Sequence, residues 1–345
     1  MSSTYTNNLR ITIFGASHSE LMGVVLDNVA PGIKIDYDYI NRELERRKGG
    51  ALASERKEAD KIKVVSGEFN GYTTGAPLAF VLENKDVDSV KYKKMKATPR
   101  PSHADYSSFV KACGYNDYRG GGTTSGRLTA LIVGVGAFLK KILESKGISI
   151  ESKITQIGKL QLRDFSSEEE FRKKYLDYIK ETSLNNDSLG GEIKAIALGI
   201  EAGIGEPFFD SLESNISRLM FSIPSVKGVL FGLGDGFKEK LGSEVVDEFE
   251  ICNGVIKTKT NYNGGINGGI TNGMPIEVSV IVKPTPSIKR DFDSVNLETK
   301  ENTKVSVDGR FDPCILLKMS PIIEAVLAIS IVDEYIGRYG YLWMK

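Results

Sequence analysis

The sequence predicts an α+β fold in which antiparallel sheets and helices form the layers of a sandwich. Stretches with the two-residue alternation of strands are interspersed irregularly with stretches of helical character. Several predicted strands follow one another across short turns, as in hairpins, which favours antiparallel sheets over a doubly wound parallel sheet. Because no linker interrupts the 345 residues, we expect a single large domain over 1–345.

The predicted strands are alternating or β-branched apolar runs bounded by turn residues, and the predicted helices carry apolar residues on one face. The first helix ends in three basic residues, Arg46, Arg47 and Lys48. These suit the negative end of a helix dipole, although they could also hold a phosphate or a carboxylate. We expect strands at 9–14, 22–29, 61–67, 76–83, 148–162, 192–199, 276–282 and the end of 223–231. We expect helices at 39–47, 128–145, 166–183, 210–221 and 322–336.

Two further segments are not predicted as regular elements. The stretch 260–273 is so rich in Gly and Asn that we do not expect a simple hairpin, and its bare backbone could pack against a flat ligand or against another backbone. The stretch 291–306 is charged, and we expect it to be exposed.

Composition limits the possible classes of function. Lys and Arg together number 45, as do Asp and Glu, so the net charge is zero and no general nucleic-acid-binding surface is expected. The cysteines Cys113, Cys252 and Cys314 have no CxxC spacing, which predicts neither a disulfide framework nor a structural zinc site. The longest apolar run, after Gly126, falls short of the ~20 residues that a membrane span requires, and the N-terminus has no apolar signal region. We therefore expect a soluble cytoplasmic protein without membrane or nucleic-acid partners.

A glycine-rich loop precedes the predicted central helix. Three glycines at 120–122 allow positive φ and a close approach of a ligand to the backbone. Thr124 or Ser125 could cap the helix and leave its first N–H groups facing an anion, and Arg119 and Arg127 could supply charged donors. The loop therefore has the features of a phosphate site, although a simple turn before a buried helix explains the same residues. Neither a GxGxxG in a βαβ context nor a GxxxxGK[ST] is present, which weighs against Rossmann and P-loop folds.

His18 and His103 are the only histidines of the chain. Each directly follows a serine and lies in a Gly- or Pro-rich segment, where catalytic groups often occur. Pro99 and Pro101 stiffen the approach to His103. A single loop histidine is more often structural, but two of two in such settings favour an acid–base pair. No HExxH or third-ligand spacing indicates a metal site.

Several segments together resemble motifs of the chorismate synthase family. The Gly-Ala-Ser-His at 15–18 resembles the family's Gly-Glu-Ser-His, and the Arg-Pro-Ser-His-Ala-Asp at 100–105 resembles its Arg-Pro-Gly-His-Ala-Asp. The stretch 117–127 resembles its Asp-Tyr-Arg-Gly-Gly-Gly-Arg-Ser-Ser-Ala-Arg. Further segments match in order and spacing, so that the resemblance covers about 9–335; they lie at 187–191, 264–273, 283–285 and 309–314.

The resemblance implies conversion of 5-enolpyruvylshikimate-3-phosphate to chorismate and phosphate by a 1,4-anti elimination. The family requires reduced FMN although the reaction has no net redox change, because electron density from the flavin transiently helps to expel phosphate. The resemblance also implies a homotetramer. Since no extra domain is present, we expect the electrons to come from an external flavin reductase.

The resemblance further assigns roles to single residues. His18 and His103 match the two acid–base histidines, one near the substrate phosphate and one that protonates the reduced flavin. Asp312 matches an aspartate that takes part in proton removal beside flavin N5, and Ser17 and Ser125 match serines that orient these groups. The substrate contacts, shared in the family with NADP, carry over to Arg46, Arg47, Lys48 and Arg127. The flavin contacts carry over to Thr123, Thr124, Ser125, Ser225, Val226, Gly268, Lys283, Pro284, Thr285, Pro286, Ser287 and Arg310.

The sequence departs from the family pattern at several positions. The change at 123 removes one cation near the flavin, but the acid–base set is intact, so activity is expected. The departures are Ala16 and Leu128 for Glu, Ser19 and Ser102 for Gly, Thr123 and Ala53 for Arg, and Phe311 for His.

Two other functions are compatible with the residues. The first is a small-molecule kinase whose glycine-rich loop cradles ATP. The second is a diverged flavin-binding protein that has lost catalysis through the substituted positions.

Overall fold

Two five-stranded antiparallel sheets lie on either side of a layer of helices in the computed structural model, which confirms the layered α+β prediction. The structure describes residues 3–50, 60–85, 92, 95–306 and 312–345. The helices are α1 (Tyr37–Arg47), α2 (Asp105–Lys111), α3 (Thr129–Ser145), α4 (Glu168–Leu184), α5 (Leu212–Met220) and α6 (Leu316–Tyr339). The strands are β1 (Thr4–Thr6), β2 (Arg10–Gly15), β3 (Leu21–Asp27), β4 (Lys63–Ser66), β5 (Glu68–Phe69), β6 (Tyr72–Thr73), β7 (Leu78–Glu83), β8 (Ser149–Ile157), β9 (Leu160–Gln161), β10 (Gly191–Leu198), β11 (Val226–Phe231), β12 (Phe249–Cys252), β13 (Val255–Thr258), β14 (Ile266–Asn267), β15 (Ile270–Thr271), β16 (Ile276–Val282), β17 (Asp291–Val295) and β18 (Asn302–Ser306).

The first sheet has the strand order β1-β2-β3-β7-β4 and packs against α3. Met22, Val24 and Leu26 of β3 are fully buried in this interface. Alternation of such residues along a strand is what commits one face of a sheet to the core. The turn between β2 and β3 lies at the end of this sheet and carries His18.

The second sheet has the strand order β11-β16-β10-β8-β9 and packs against α6. Ile193, Ala195 and Ala197 of β10 are fully buried. Val226 at the start of β11 pairs with Val282 at the end of β16. The predicted flavin residues before β11 and after β16 therefore lie together at one end of this sheet.

The two central helices, α3 and α6, pack against each other with a very short distance between their backbones. A Cβ atom at Gly136 of α3 would lie 2.1 Å from the Cβ of Ala325 in α6. Only glycine permits this approach, because any side chain would overlap the facing helix. The crossing brings the two sheets to a common helical layer and unites the core.

A buried ionic network joins α1, α3 and α6. Glu324 accepts hydrogen bonds from both terminal nitrogens of Arg46, each at 2.8 Å, and from Lys140 Nζ at 2.7 Å. Glu43 also accepts from Lys140 Nζ, at 3.0 Å. Burial alone would raise the pKa of the Glu324 carboxyl, but these cations hold it below its usual value. The predicted cation Arg46 is thus part of a structural network.

The predicted elements are mostly confirmed, with several differences. Gly158 turns the predicted strand 148–162 into β8 and β9, and α6 begins six residues before its predicted start, with Pro321 inside it. A two-residue hairpin, β14–β15, lies in the Gly- and Asn-rich stretch, so the expectation of no hairpin there was wrong. The hairpin β12–β13 was not predicted, and the charged stretch 291–306 forms a third hairpin, β17–β18.

The helices of the described ranges include none with both the length and the apolar character needed to cross a bilayer.

Candidate active site

The glycine-rich loop adopts a backbone that side chains strongly disfavour. Gly120, Gly121 and Gly122 have φ values of 59°, 88° and 55°, all in the left-handed region. Ser125 then accepts a hydrogen bond from the Arg127 amide at 3.3 Å and so caps the short helical turn that leads into α3. Ser125 is therefore the capping residue of this turn, whereas α3 itself begins without a side-chain cap. Thr124 instead donates its hydroxyl proton to the Gly121 carbonyl, at 2.8 Å.

His18 is held against this loop by its neighbour Ser17. The Ser17 amide donates to the Gly122 carbonyl at 3.2 Å, and the Ser17 hydroxyl lies 3.1 Å from the Arg119 carbonyl and 3.0 Å from His18 Nδ1. A carbonyl can only accept, so the single hydroxyl proton goes to Arg119 and leaves Ser17 Oγ to accept from Nδ1–H. His18 is 5% exposed, and a Cβ atom on Gly120 would lie 2.2 Å from its Cε1. The imidazole therefore packs directly on the Gly120 backbone.

Three side chains that the sequence alone did not indicate hold the His18 turn. Ser19 Oγ lies 2.7 Å from the Ala16 carbonyl and 2.6 Å from the Leu21 carbonyl, either of which can accept its one proton, and it accepts from the Ala16 amide at 2.9 Å. Asn84, which follows β7, donates to the Ser19 carbonyl at 2.8 Å. The Tyr92 ring meets the His18 imidazole edge-on at 5.0 Å between centroids. No local pattern signals Asn84 or Tyr92, because they reach His18 only through the fold.

His103 follows a tight turn at 100–103, closed by the His103 amide on the Arg100 carbonyl at 3.3 Å. Pro101 occupies the second position of this turn, and Ser102 occupies the third with φ 59°. A type II turn has this pattern and prefers glycine at its third position, which is the residue of the family motif. The Ser294 hydroxyl of β17 donates to the Pro99 carbonyl at 2.6 Å and braces the approach. The turn and the bond from Ser294 together explain why the backbone that carries His103 is rigid.

His103, Asp105 and Arg100 form a hydrogen-bonded group. His103 Nδ1 lies 2.7 Å from Asp105 Oδ1, and Arg100 donates from Nη2 to Oδ1 at 2.8 Å and from Nε to Oδ2 at 2.7 Å. Burial alone would raise the pKa of Asp105, but the bonds from Arg100 and His103 hold it well below its usual range. Asp105 is thus a carboxylate at any working pH.

The two histidines converge on consecutive glycines of one loop. A Cβ atom on Gly121 would lie 3.3 Å from His103 Cε1, while Gly120 carries His18. Since neighbouring Cα atoms are about 3.8 Å apart, the two imidazoles lie within about 12 Å of each other. Ser125 also borders Gly121, so Ser17, His18, His103 and Ser125 share one neighbourhood.

Asp312 is linked to the segment before His103 only indirectly, through a chain of contacts. Lys318 of α6 donates to both Asp312 oxygens, at 3.0 and 3.1 Å. The adjacent Pro313 carbonyl accepts from the Leu189 amide at 2.8 Å, and the preceding Ser188 donates to the Thr285 carbonyl at 2.7 Å. The segment that contains Thr285 begins at Lys283, whose ammonium group donates to the Ser102 carbonyl at 2.8 Å, next to His103. Lys318 is a further partner of the site that the sequence did not indicate.

The predicted flavin residues fall into three groups. Ser225 accepts from the Lys283 amide at 2.9 Å, so 225–226 and 283–287 are adjacent. Thr123 and Thr124 are exposed on the glycine-rich loop. Gly268 lies in the turn between β14 and β15 and shares no hydrogen bond with the other predicted site residues in the described part of the chain. Arg310, with Phe311 and Ala53 of the family departures, lies outside the described residues.

The four predicted substrate cations all have carboxylate partners. Arg47 and Arg127 are buried and share Asp60, at 3.3 and 2.6 Å. Arg47 Nη2 also donates to the Gly126 carbonyl at 3.0 Å, which fixes the end of the glycine-rich loop. Lys48 pairs with Glu45, and Arg46 belongs to the Glu324 network. Their role as substrate or NADP contacts stays a prediction.

A family model, named relatives and a solved structure all point to the same family. The family model described as chorismate synthase matches residues 9–336. The chorismate synthase of Pyrococcus abyssi is 43% identical over 343 residues, which is 96% of this chain and 96% of the relative. That of Thermococcus gammatolerans is 41% identical over 346 residues, which is 96% of this chain and 97% of the relative. A crystal structure of chorismate synthase has a TM-score of 0.75 and 26% sequence identity, covering 96% of this chain and 93% of that one.

The matched segments include the histidine turns and the glycine-rich loop that the structure brings together. With a family model over nearly its whole length and relatives above 40% identity, this chain belongs to the chorismate synthase family of lyases.

Proposed function

We propose that this enzyme of aromatic biosynthesis forms chorismate and phosphate from 5-enolpyruvylshikimate-3-phosphate by 1,4-anti elimination, with reduced FMN as cofactor. The observation that carries the proposal is the convergence of His18 and His103 on Gly120 and Gly121. An elimination needs one group to take a C–H proton and others to stabilise the departing phosphate, and two imidazoles beside a backbone loop supply such groups.

The family resemblance supplies the roles, and the hydrogen bonds support them. Ser17 holds Nδ1 of His18, so Nε2 is the nitrogen that exchanges protons. One of the two histidines would lie by the phosphate of the substrate, and the other would hold a proton for the reduced flavin. Asp312 takes part in removal of the C–H proton, and Lys318 holds its carboxylate in place. The electron pair of the broken C–H bond enters the new double bond, and phosphate leaves with the electron pair of its C–O bond.

The residues at the proposed cofactor site suit a flavin. Thr285 Oγ1 is buried and makes no hydrogen bond among the described residues, and a buried hydroxyl of this kind needs a polar partner. A Cβ at Gly268 would meet no atom within 4 Å, which leaves room for a flat ring beside that backbone. Thr123, Thr124, Ser125 and Lys283 add hydroxyl and ammonium donors. When bound, reduced FMN would supply the electron density that assists the departure of phosphate.

We further propose a single domain over 1–345 that assembles as a homotetramer in the cytoplasm and receives electrons from an external flavin reductase. The tetramer is supported by the hairpin β12–β13, on which Phe249, Ile251 and Ile256 are 70%, 78% and 67% exposed. Contiguous exposed apolar side chains of this kind mark interaction surfaces.

An anaerobic assay with dithionite-reduced FMN, followed through chorismate absorbance, tests the proposal. His103→Ala and Asp312→Asn should each lower kcat at least ~100-fold, the scale of lost acid–base catalysis. Asp235→Asn, which removes an exposed carboxylate paired with Lys238, is the control and should leave the rate unchanged.

Three outcomes would contradict the proposal. Rates near that of the parent in both variants would show that the roles are assigned wrongly. FMN binding by the parent without phosphate release would favour a diverged flavin-binding protein. ATP turnover without any response to reduced FMN would favour a kinase.

A further inference from the structure

We infer that Asp105 is a positioning residue that fixes the tautomer of His103, with the proton on Nδ1 and with Nε2 as the nitrogen that serves the reaction. The inference rests on the proposed acid–base role of His103. It concerns a carboxylate and an arginine of the 100–105 motif that the proposed mechanism does not otherwise use.

The first argument is the geometry around Nδ1. Two atoms approach this nitrogen: Asp105 Oδ1 at 2.7 Å and Arg100 Nη2 at 3.1 Å. If Nδ1 carried a lone pair, that lone pair would face an anionic oxygen at the shorter of the two distances. A proton on Nδ1 turns the same contact into a charge-assisted hydrogen bond, which is the stronger type. Arg100 Nη2 does not need Nδ1 as an acceptor, because it donates to Oδ1 at 2.8 Å.

The second argument is that Asp105 itself cannot move. Its Oδ2 accepts from the Arg100 amide at 3.0 Å and from Arg100 Nε at 2.7 Å. Its Oδ1 accepts from Arg100 Nη2, which completes a bidentate pair. Arg100 is 8% exposed, so this pair is shielded from solvent and keeps its geometry. The one remaining acceptor position of the carboxylate points at His103.

The third argument is the position of the opposite edge of the ring. The Cβ that glycine lacks at 121 would lie 3.3 Å from His103 Cε1 and 3.7 Å from Nε2. Nδ1 is therefore on the Asp105 side, and Nε2 is on the side of the glycine-rich loop, where His18 and Ser125 also lie. A defined tautomer decides whether that edge accepts or donates a proton.

Asp105→Asn tests the inference, because the amide can satisfy only part of this arrangement. The two donors at Oδ2 require an oxygen there, which places the NH2 group at the Oδ1 position, facing Nδ1. An NH2 group can only donate, so Nδ1 must become the acceptor and the proton must move to Nε2.

The readout is nitrogen NMR of a protein labelled with 15N-histidine, recorded by magic-angle spinning at pH 8.5. Only two imidazoles contribute, since the chain has two histidines. We expect the parent to have the proton of His103 on Nδ1 and the Asp105→Asn variant to have it on Nε2. The His18 signals, assigned with His18→Gln, are the internal control and should not change. Asp247→Asn, which removes a carboxylate with four hydrogen bonds in another segment, should leave both imidazoles unchanged.

The kinetic readout separates positioning from a general loss of structure. Asp105→Asn should lower kcat by roughly 100-fold or more, with KM changed by less than about threefold, because a wrong tautomer impairs chemistry rather than binding. Asp105→Glu keeps a carboxylate, so it should retain the parent tautomer and recover at least about tenfold of the lost kcat. 

A parent with the proton on Nε2, or an unchanged tautomer in Asp105→Asn, would overturn the inference. The tautomer is measured without turnover. A parent that shows the expected tautomer and its switch but forms no chorismate would therefore refute the proposed function and leave the positioning of His103 intact.

Discussion

Ser102 occupies a backbone position that usually belongs to glycine. Its φ of 59° lies in the left-handed region, which costs a side chain about 1–2 kcal/mol, while glycine costs about 0.5–1 kcal/mol in lost freedom on folding. We therefore expect Ser102→Gly to raise the free energy of unfolding by up to about 1 kcal/mol, measured as a shift in the urea midpoint at constant slope.

Ser107→Gly is the matched control for this effect. The same change is made five residues away, at an exposed position within α2. It should lower the free energy of unfolding by about 0.5–1 kcal/mol, because glycine there gains nothing from a positive φ. Equal effects at both positions would show that Ser102 is not strained.

At the scale of single residues, the sequence indicated the candidate acid–base groups but not the side chains that hold them. His18 and His103 could be selected as candidates because histidine is rare in this chain and both lie in turn-rich motifs. Asn84 and Lys318 could not, since Asn84 lies 65 positions from the Ser19 carbonyl that it binds, and Lys318 is one of several lysines without a distinguishing neighbour. Partners of this kind are defined by the fold and not by spacing.

At the scale of elements, α6 carries a buried carboxyl that links its stability to pH. Burial, with a smaller contribution from the nearby Asp333, Glu206 and Asp210, raises the pKa of Glu334 to about 7 against the effect of a hydrogen bond from Asn215. The folded protein therefore prefers the protonated form. Between the ordinary pKa near 4.5 and a pH of about 7, ionisation of this group makes folding progressively less favourable.

Glu334→Gln should remove this dependence while it keeps an oxygen that can accept from Asn215. A pKa shift from about 4.5 to about 7 would correspond to about 3 kcal/mol in the free energy of unfolding for a group fully shielded from solvent. Partial screening by solvent reduces the expected effect to about 1–2 kcal/mol. The variant should be close to the parent at pH 5 and more stable by that amount at pH 8, in urea unfolding at each pH.

Glu239→Gln, at an exposed position, serves as the control and should follow the parent at each pH. A difference between Glu334→Gln and the parent that stays constant from pH 5 to 8 would exclude titration of Glu334 as its cause.

The element boundaries were predicted most accurately where the run of apolar residues was long. The bounds of the helix α3 and the strand β16 were predicted to within one residue, because each contains one uninterrupted run of mostly apolar residues. The hairpins were less accurate. β12–β13 has exposed apolar residues on one face, and β17–β18 alternates charged with partly buried residues, so neither has the buried face on which strand prediction depends.

At the scale of the whole molecule, the layered α+β architecture could be predicted from the irregular alternation of strands and helices. The crossing of α3 and α6 could not, because it depends on a single glycine that fits against Ala325. The approach of distant loops to one another, across 181 residues between Lys283 and Ser102, was likewise inferred only through the family resemblance. Topology, rather than local pattern, brings these loops together.

The proposed homotetramer gives a prediction at this scale. Ile251 and Ile256 are directly paired across β12–β13 and so lie on one face of the hairpin, together with Phe249. The double variant Ile251→Ser, Ile256→Ser should shift the assembly to smaller species in sedimentation velocity, because the interface loses apolar area.

Leu184→Ser changes an equally exposed apolar residue at the end of α4 and should leave the sedimentation coefficient unchanged. An unaltered tetramer in the hairpin variant, or a parent that sediments as a monomer, would contradict the placement of the interface. Circular dichroism of both variants confirms that the secondary structure is retained.

The contact of both imidazoles with neighbouring glycines has a consequence for the substitutions that the glycine-rich loop can accept. The two imidazoles, which are proton carriers in the proposed function, lie beside two adjacent main-chain residues that have no side chains whose length could vary. Substitutions elsewhere in the loop can alter its charge, as the threonine at 123 illustrates, without altering the positions of the two glycines. The loop can therefore vary in charge while the distance between the two imidazoles, on which proton transfer in the proposed function depends, stays the same.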